Sequence, residues 1–400
     1  MKRRLLALLL VTLLMAMAAV TVTACSNEPA APTPPAGGTE APPPADDGGL
    51  SGDPVRIAVA APMTGAHAQY GLGFWQAAQL QAESWNNAGG VLGRPVEILQ
   101  FDDMGSLEEG ASIAERIAAD PTIIGVIGHF ASGVAMTASP TYNENQIINI
   151  SPSASHPDFG VDQEFVFRNN TVIVVEAAAG LEIAVDLGYT QIGILSIMTD
   201  WGESTSNIVT ELINEHPNLV LVGHEEVIEG TVDFSPAITA LHNAGAEVII
   251  CVSMYNTLGP FAVQYRNINP NIQIIGFSNA YTHNLIELGG AAVEGVRFPV
   301  SFFAGSPAEH VQDFVGRYIE NFGESPSALT AQAYDSTGMI LQAIVEAGGT
   351  DDRMAIRNAL ANIAYYGVTG EPPTRFTPEG DVIREFTKVM IQNGEFAPAS

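Results

Sequence analysis

Two serine-rich loops hold the side chains with which this chain could do chemistry. One reads Gly128-His129-Phe130-Ala131-Ser132-Gly133, the other Ser151-Pro152-Ser153-Ala154-Ser155. They follow the short apolar runs Ile123 to Ile127 and Ile147 to Ile150. Small residues let a backbone approach a ligand, and the free N–H groups and positive dipole of a helix start attract an anion. The hydroxyls of Ser132, Ser153 and Ser155 add donors. Serines in such places also cap helices and turns, but two such loops at consecutive strand ends favour ligand contact. His129, three positions before Ser132, could be a base beside a nucleophile; no third residue to orient the pair is evident, and support of the loop suits it better. Asp102-Asp103, at another strand end, suits capping or a hinge. The sequence has no GxxxxGK phosphate loop, no GxSxG elbow and no HExxH zinc helix. Its eight histidines show no metal-ligand spacing. A binding protein without catalytic residues, cofactor or metal is the expectation.

The elements that must position these loops follow a strand–helix rhythm. Strands are predicted at Val55 to Ala61, Val96 to Phe101, Ile123 to Ile127 and Ile147 to Ile150. Helices alternate with them at Gly71 to Ala88, Leu107 to Ala119 and Ser132 to Glu144. After Phe165-Val166-Phe167-Arg168 the rhythm restarts. Strands are expected at Gln191 to Ile197, Leu219 to Val227, Val248 to Val252 and Ile272 to Phe277. Helices are expected at Val174 to Leu187, Gly202 to Glu215, Pro236 to Asn243 and Leu258 to Asn267. An extended stretch at Val296 to Phe302 precedes helices at Ala308 to Asn321, Thr330 to Ala347 and Arg353 to Ile363, with a closing β pair at Arg375-Phe376 and Phe386 to Ile391. Alternation at this spacing makes βαβ units and parallel sheets. Two successive runs predict an α/β protein of two Rossmann-like lobes.

Lys2, Arg3 and Arg4 precede the apolar run Leu5 to Val20, and Val22-Thr23-Ala24-Cys25 follows. That is the layout of a secretory signal peptide over residues 1–24. The ending resembles a bacterial lipobox, which implies lipidation of Cys25. Residues 25–52 are rich in Pro, Ala, Gly and acids, a composition that makes an extended tether. The expected location is therefore exported and lipid-anchored on the outer face of the cytoplasmic membrane, with the membrane touched only through the anchor. The formal net charge of −29 and the near absence of lysine, only Lys2 and Lys388, argue against nucleic acid as a partner. With Cys25 acylated, Cys251 has no cysteine partner and reads as a small core residue.

Several motifs occur together: Ala61-Pro62-Met63-Thr64-Gly65 with Gln69-Tyr70-Gly71, Asn86-Asn87-Ala88-Gly89-Gly90, Phe101-Asp102-Asp103, Val126-Ile127-Gly128-His129 and Ile150-Ser151-Pro152-Ser153-Ala154. Later come Asp200-Trp201-Gly202, Asp233-Phe234-Ser235 and Ala333-Tyr334-Asp335. Over about residues 53–394 their order resembles the branched-chain amino acid binding proteins of ABC transporters, the type I periplasmic binding fold. The resemblance implies three hinge crossovers, near Asn170, Phe298 and Thr374. The first lobe would comprise residues 53–170 plus 299–373, the second 171–298 plus 374–400. It implies a monomeric receptor that carries a small molecule to a membrane ABC permease; the same cleft could instead serve a signalling partner.

It also implies that Ser132, Ser153 and Ser155 hold a ligand carboxylate and that Tyr70 and Leu329 line the pocket. Trp201 and Tyr255, at strand–helix junctions of the second lobe, are placed to close over a ligand. One position departs from the pattern. Where amino-acid binders of this family carry a carboxylate for the ligand ammonium, this chain has Ser278. A desolvated ammonium needs an anion, so either another acid serves, Asp200 or Glu203, or the ligand lacks an ammonium.

Overall fold

The computed structural model describes residues 49–399. The signal segment, Cys25 and the tether as far as residue 48 lie outside the described residues. The first half of the body builds β1 (Val55–Ala61), α1 (Ala68–Asn87), β2 (Val96–Asp102), α2 (Leu107–Ala118), β3 (Ile123–Gly128), α3 (Ser132–Glu144), β4 (Ile148–Ser151) and β5 (Val166–Arg168). These strands form one wholly parallel sheet in the order β2-β1-β3-β4-β5. Every residue of β3, Ile-Ile-Gly-Val-Ile-Gly, is buried. A strand covered by helices on both faces needs such a continuous apolar run rather than an alternating one.

The second series is α4 (Ile173–Asp186), β6 (Gln191–Ile197), α5 (Asp200–Glu215), β7 (Val220–Val227), α6 (Ser235–Asn243), β8 (Val248–Val252), α7 (Tyr255–Arg266), β9 (Gln273–Ile275), α8 (His283–Gly289) and β10 (Arg297–Val300). The chain then adds α9 (Glu309–Phe322), α10 (Ala328–Ala347) and α11 (Arg353–Ala361) to the first lobe, and β11 (Thr387–Gln392) and β12 (Glu395–Pro398) to the second. The second sheet runs β12-β11-β10-β9-β8-β6-β7, parallel except that β11 pairs antiparallel with both β10 and β12. Cys251 lies in fully buried β8, where burial pushes its thiol up to about 12, so it stays an unreactive core side chain.

The architecture is the expected α/β pair of sheets, with adjustments at the crossovers. Pro299 and Val300 pair with Lys388 and Thr387 in the second sheet, so the second crossover follows Val300 rather than Phe298. The third also falls later than Thr374. The stretch after Thr374 stays on the first lobe: Phe376 bridges Val382, and Arg168 binds the Gly380 carbonyl (2.9 Å) and the Asp381 carboxylate (2.5 Å). The expected pairing of Arg375-Phe376 with Phe386 to Ile391 is therefore not formed. Thr387–Gln392 instead pairs with β10 and with the unforeseen β12.

Buried polar groups tie the crossovers together. Asp335 of α10 accepts from the backbone N–H groups of Val368 and Thr369, both at 2.9 Å, and from the Thr369 hydroxyl. That hydroxyl accepts from Arg384, whose guanidinium also reaches Asn169 at the first crossover. Asp335 and Arg384 are both buried. Removing one member strands the other charge, so Asp335→Ala should lose about 3–5 kcal/mol of stability by denaturant titration. A change below about 1 kcal/mol would show that the network does not hold the hinge.

Candidate functional site

The carboxyl ends of β1 to β4 in one sheet face those of β6 to β9 in the other, and a cavity of about 270 Å³ lies between them. Strand ends of parallel sheets are where such folds bind ligands. The volume sits at the small end of ligand cavities and suits one compact solute. Polar contacts cross from lobe to lobe around it. The Trp201 indole N–H donates to Ser155 Oγ (3.0 Å), the Tyr70 hydroxyl to the Asn279 carbonyl (2.7 Å) and Gln69 Nε2 to Asn284 Oδ1 (2.9 Å). His67 Nε2 lies 3.0 Å from Glu229 Oε1. The lobes are closed on each other.

Six of the eight residues singled out from sequence line this cavity: Ser132, Ser153, Ser155, Trp201, Ser278 and Leu329. Ser132 opens α3 after Ala131, which has no side chain to cap the helix. Ala131, Ser132, Gly133 and Val134 all border the space, so uncapped N–H groups and a hydroxyl converge there, the makings of an anion site. The hydroxyls differ in availability. Ser155 accepts from Trp201 and keeps its own hydrogen to give. Ser153 donates to the Phe130 carbonyl at 2.7 Å, so it offers lone pairs instead.

Tyr70 and Tyr255, expected as walls, do not line the cavity. Phe130 stands in front: Tyr70 stacks on it with ring centroids 4.2 Å apart and spends its hydroxyl on Asn279. Tyr255 packs behind Tyr70 at 5.8 Å. Phe130, Leu107, Val134 and Met254 supply the apolar wall with Trp201 and Leu329. Asn170, at the first crossover, donates to the Ser153 carbonyl (2.9 Å) and borders the cavity too.

Sequence reasoning missed Glu176. It sits in the first turn of α4, 2% exposed, and lines the cavity beside Ser278. Its Oε1 accepts the Ser278 backbone N–H at 2.6 Å. Burial pushes its carboxyl up to about 7, against which the hydrogen bonds from Ser278 pull it down. An acid within the apolar run Ile173-Val174-Val175-Glu176-Ala177-Ala178-Ala179 was the available signal: it falls on the buried helix face with Ile173, Ala177 and Gly180. Of the two acids weighed from sequence, Asp200 lines the cavity at its exposed edge, whereas Glu203 borders a separate surface hollow. With Glu229, three carboxylates and one histidine among the described residues line the cavity, and no lysine or arginine among them does.

The Periplasmic binding protein family model matches residues 54–395. A Leu/Ile/Val-binding protein homolog from Brucella suis is 29% identical over 76% of this chain and 81% of its own length. A solved branched-chain amino acid ABC transporter protein of Rhodospirillum rubrum is 32% identical, covering 86% of this chain and all of the other, with a TM-score of 0.67. The leucine-binding protein LivK of Thermotoga maritima is 25% identical, covering 86% and 98%, with a TM-score of 0.78. Sheet order, the cleft between strand ends and the sequence match across both lobes agree: the chain belongs to the periplasmic binding protein family.

Proposed function

We propose that this chain is the extracytoplasmic receptor of an ABC importer, and that it captures a small α-amino acid as its zwitterion. The observation that carries the ammonium is Glu176. The position at Ser278 lacks an acid, but the Ser278 backbone holds the Glu176 carboxylate in the same corner of the cavity. An anion is thus supplied from α4. The ligand carboxylate would take the N–H groups opening α3 and the hydroxyls of Ser132 and Ser155, with Phe130, Leu107, Met254, Trp201 and Leu329 around its side chain. Cys25 would hold the receptor at the membrane near its permease, and no chemical step is assigned to the cleft.

A thermal-shift panel of amino acids, each paired with its deaminated acid, tests the ligand. The expected result is a shift for at least one amino acid and none for its deaminated partner. Equal shifts for both would sink the zwitterion reading. Cys25→Ser should release the protein from membranes, and retention would end the anchor proposal.

A further inference from the structure

We propose that Asp103, His129 and Tyr142 are positioning residues that hold the three cavity-lining loops of the first lobe as one unit. The inference rests on the proposed binding cleft but not on which solute fills it. All three side chains are buried, and none lines the cavity. Asp103 Oδ2 lies 2.6 Å from His129 Nδ1, and His129 Nε2 lies 3.0 Å from the Tyr142 hydroxyl. A carboxylate only accepts, so Nδ1 carries the hydrogen between His129 and Asp103, and Nε2 shares a second hydrogen bond with the Tyr142 hydroxyl. Burial keeps the tyrosine protonated, so it remains a donor. The row is then satisfied from end to end, and neither ring nitrogen is left to activate Ser132.

Asp103 and His129 reach the loops, and Tyr142 anchors the His129 ring to α3. Asp103 Oδ1 accepts the Gly105 N–H at 2.8 Å and so fixes the loop after β2, which gives Gly105 and Leu107 to the cavity. His129 begins the loop after β3, which gives Phe130 to Val134. Its own carbonyl accepts the Ser151 hydroxyl at 2.9 Å, and Ser151 Oγ in turn accepts the Ala154 N–H at 2.9 Å. That shapes the loop after β4, which presents Ser153 and Ser155. One residue therefore joins all three loops, through its ring on one side and its carbonyl on the other. Buried groups of this kind are costly to leave half-paired, which makes the arrangement specific.

Hydrogen exchange on the full chain tests the coupling. Tyr142→Phe keeps the ring and removes the hydroxyl that meets His129; Asp103→Asn is the companion should that variant fold poorly. Either should speed exchange at least tenfold at the amides of residues 104–107, 130–134 and 153–155 together, with β6 and β8 unchanged. Ser151→Ala should loosen residues 153–155 alone. Faster exchange confined to residues 129–142, or spread evenly over both lobes, would overturn the proposal. With L-leucine as probe, Tyr142→Phe should raise Kd about tenfold at a temperature where the variant stays folded, which a purely structural role would not do. Loosened loops with an unchanged Kd would overturn the positioning role. If L-leucine fails to bind the unaltered protein, the choice of ligand is at fault and the exchange result still decides.

Discussion

Glu176→Gln should weaken amino-acid binding on the order of a hundredfold while the protein stays folded. Glutamine keeps an oxygen for the Ser278 N–H but cannot balance an ammonium, and removing one partner of a buried charge pair costs about 2–5 kcal/mol. The unaltered protein should also show opposite pH trends with and without ligand. The folded carboxyl titrates near 7, above the usual 4.5, because it is buried. Between those values the folded state holds a proton that the unfolded chain has lost. Stability of the ligand-free protein should therefore fall by about 3 kcal/mol as pH rises through that window, then level off. Ligand affinity should move the other way, because the ammonium selects the ionised form: up to about tenfold per pH unit below 7, flat above it. Isothermal titration and denaturant melts across pH 5–8 read both trends. Both slopes should vanish in Glu176→Gln; a persisting affinity slope would assign the titration to another group.

A second large effect is expected at Gly202, next to Trp201 in the first turn of α5. The helix approaches the end of β6 so closely that a Cβ here would lie 1.9 Å from the Ile197 carbonyl oxygen. The carbonyl is backbone and the Cβ is fixed by its own backbone, so no rotamer relieves the overlap. Gly202→Ala should cost about 3 kcal/mol or more, a fall in Tm of roughly 4 °C for a body of this size. Because Trp201 moves with the turn, its bond to Ser155 across the cleft should break as well. A variant with an unchanged melting temperature would show that α5 has room to shift.

These two residues illustrate what the sequence disclosed. Gly202 was visible, since Asp200-Trp201-Gly202 stands at a strand–helix junction and local spacing carries that information. The sheets were visible for the same reason: Ile123 to Ile127 and Val248 to Val252 are short apolar runs, and both are buried strands. Elements too short for a periodic signal were not seen, among them α8 with seven residues and β12 with four. The serine loops were legible because each is continuous in the chain. Glu176 was not, because it meets Ser278 across 102 residues. Tyr70 was placed in the right neighbourhood, but no local pattern could say that the Phe130 ring would stand in front of it.

The cavity divides its charged contacts by lobe. The serines and the start of α3 belong to the first lobe, and Glu176 on α4 to the second. Under the proposed assignment, a zwitterion adds a further fastener to the direct bonds between the lobes, because its carboxylate is met by the first lobe and its ammonium by the second. A molecule with the carboxylate alone could occupy the first lobe without drawing the second onto it. Such compounds would act as competitors: they would occupy the cleft while lacking the bond from Glu176 that an amino acid adds between the lobes.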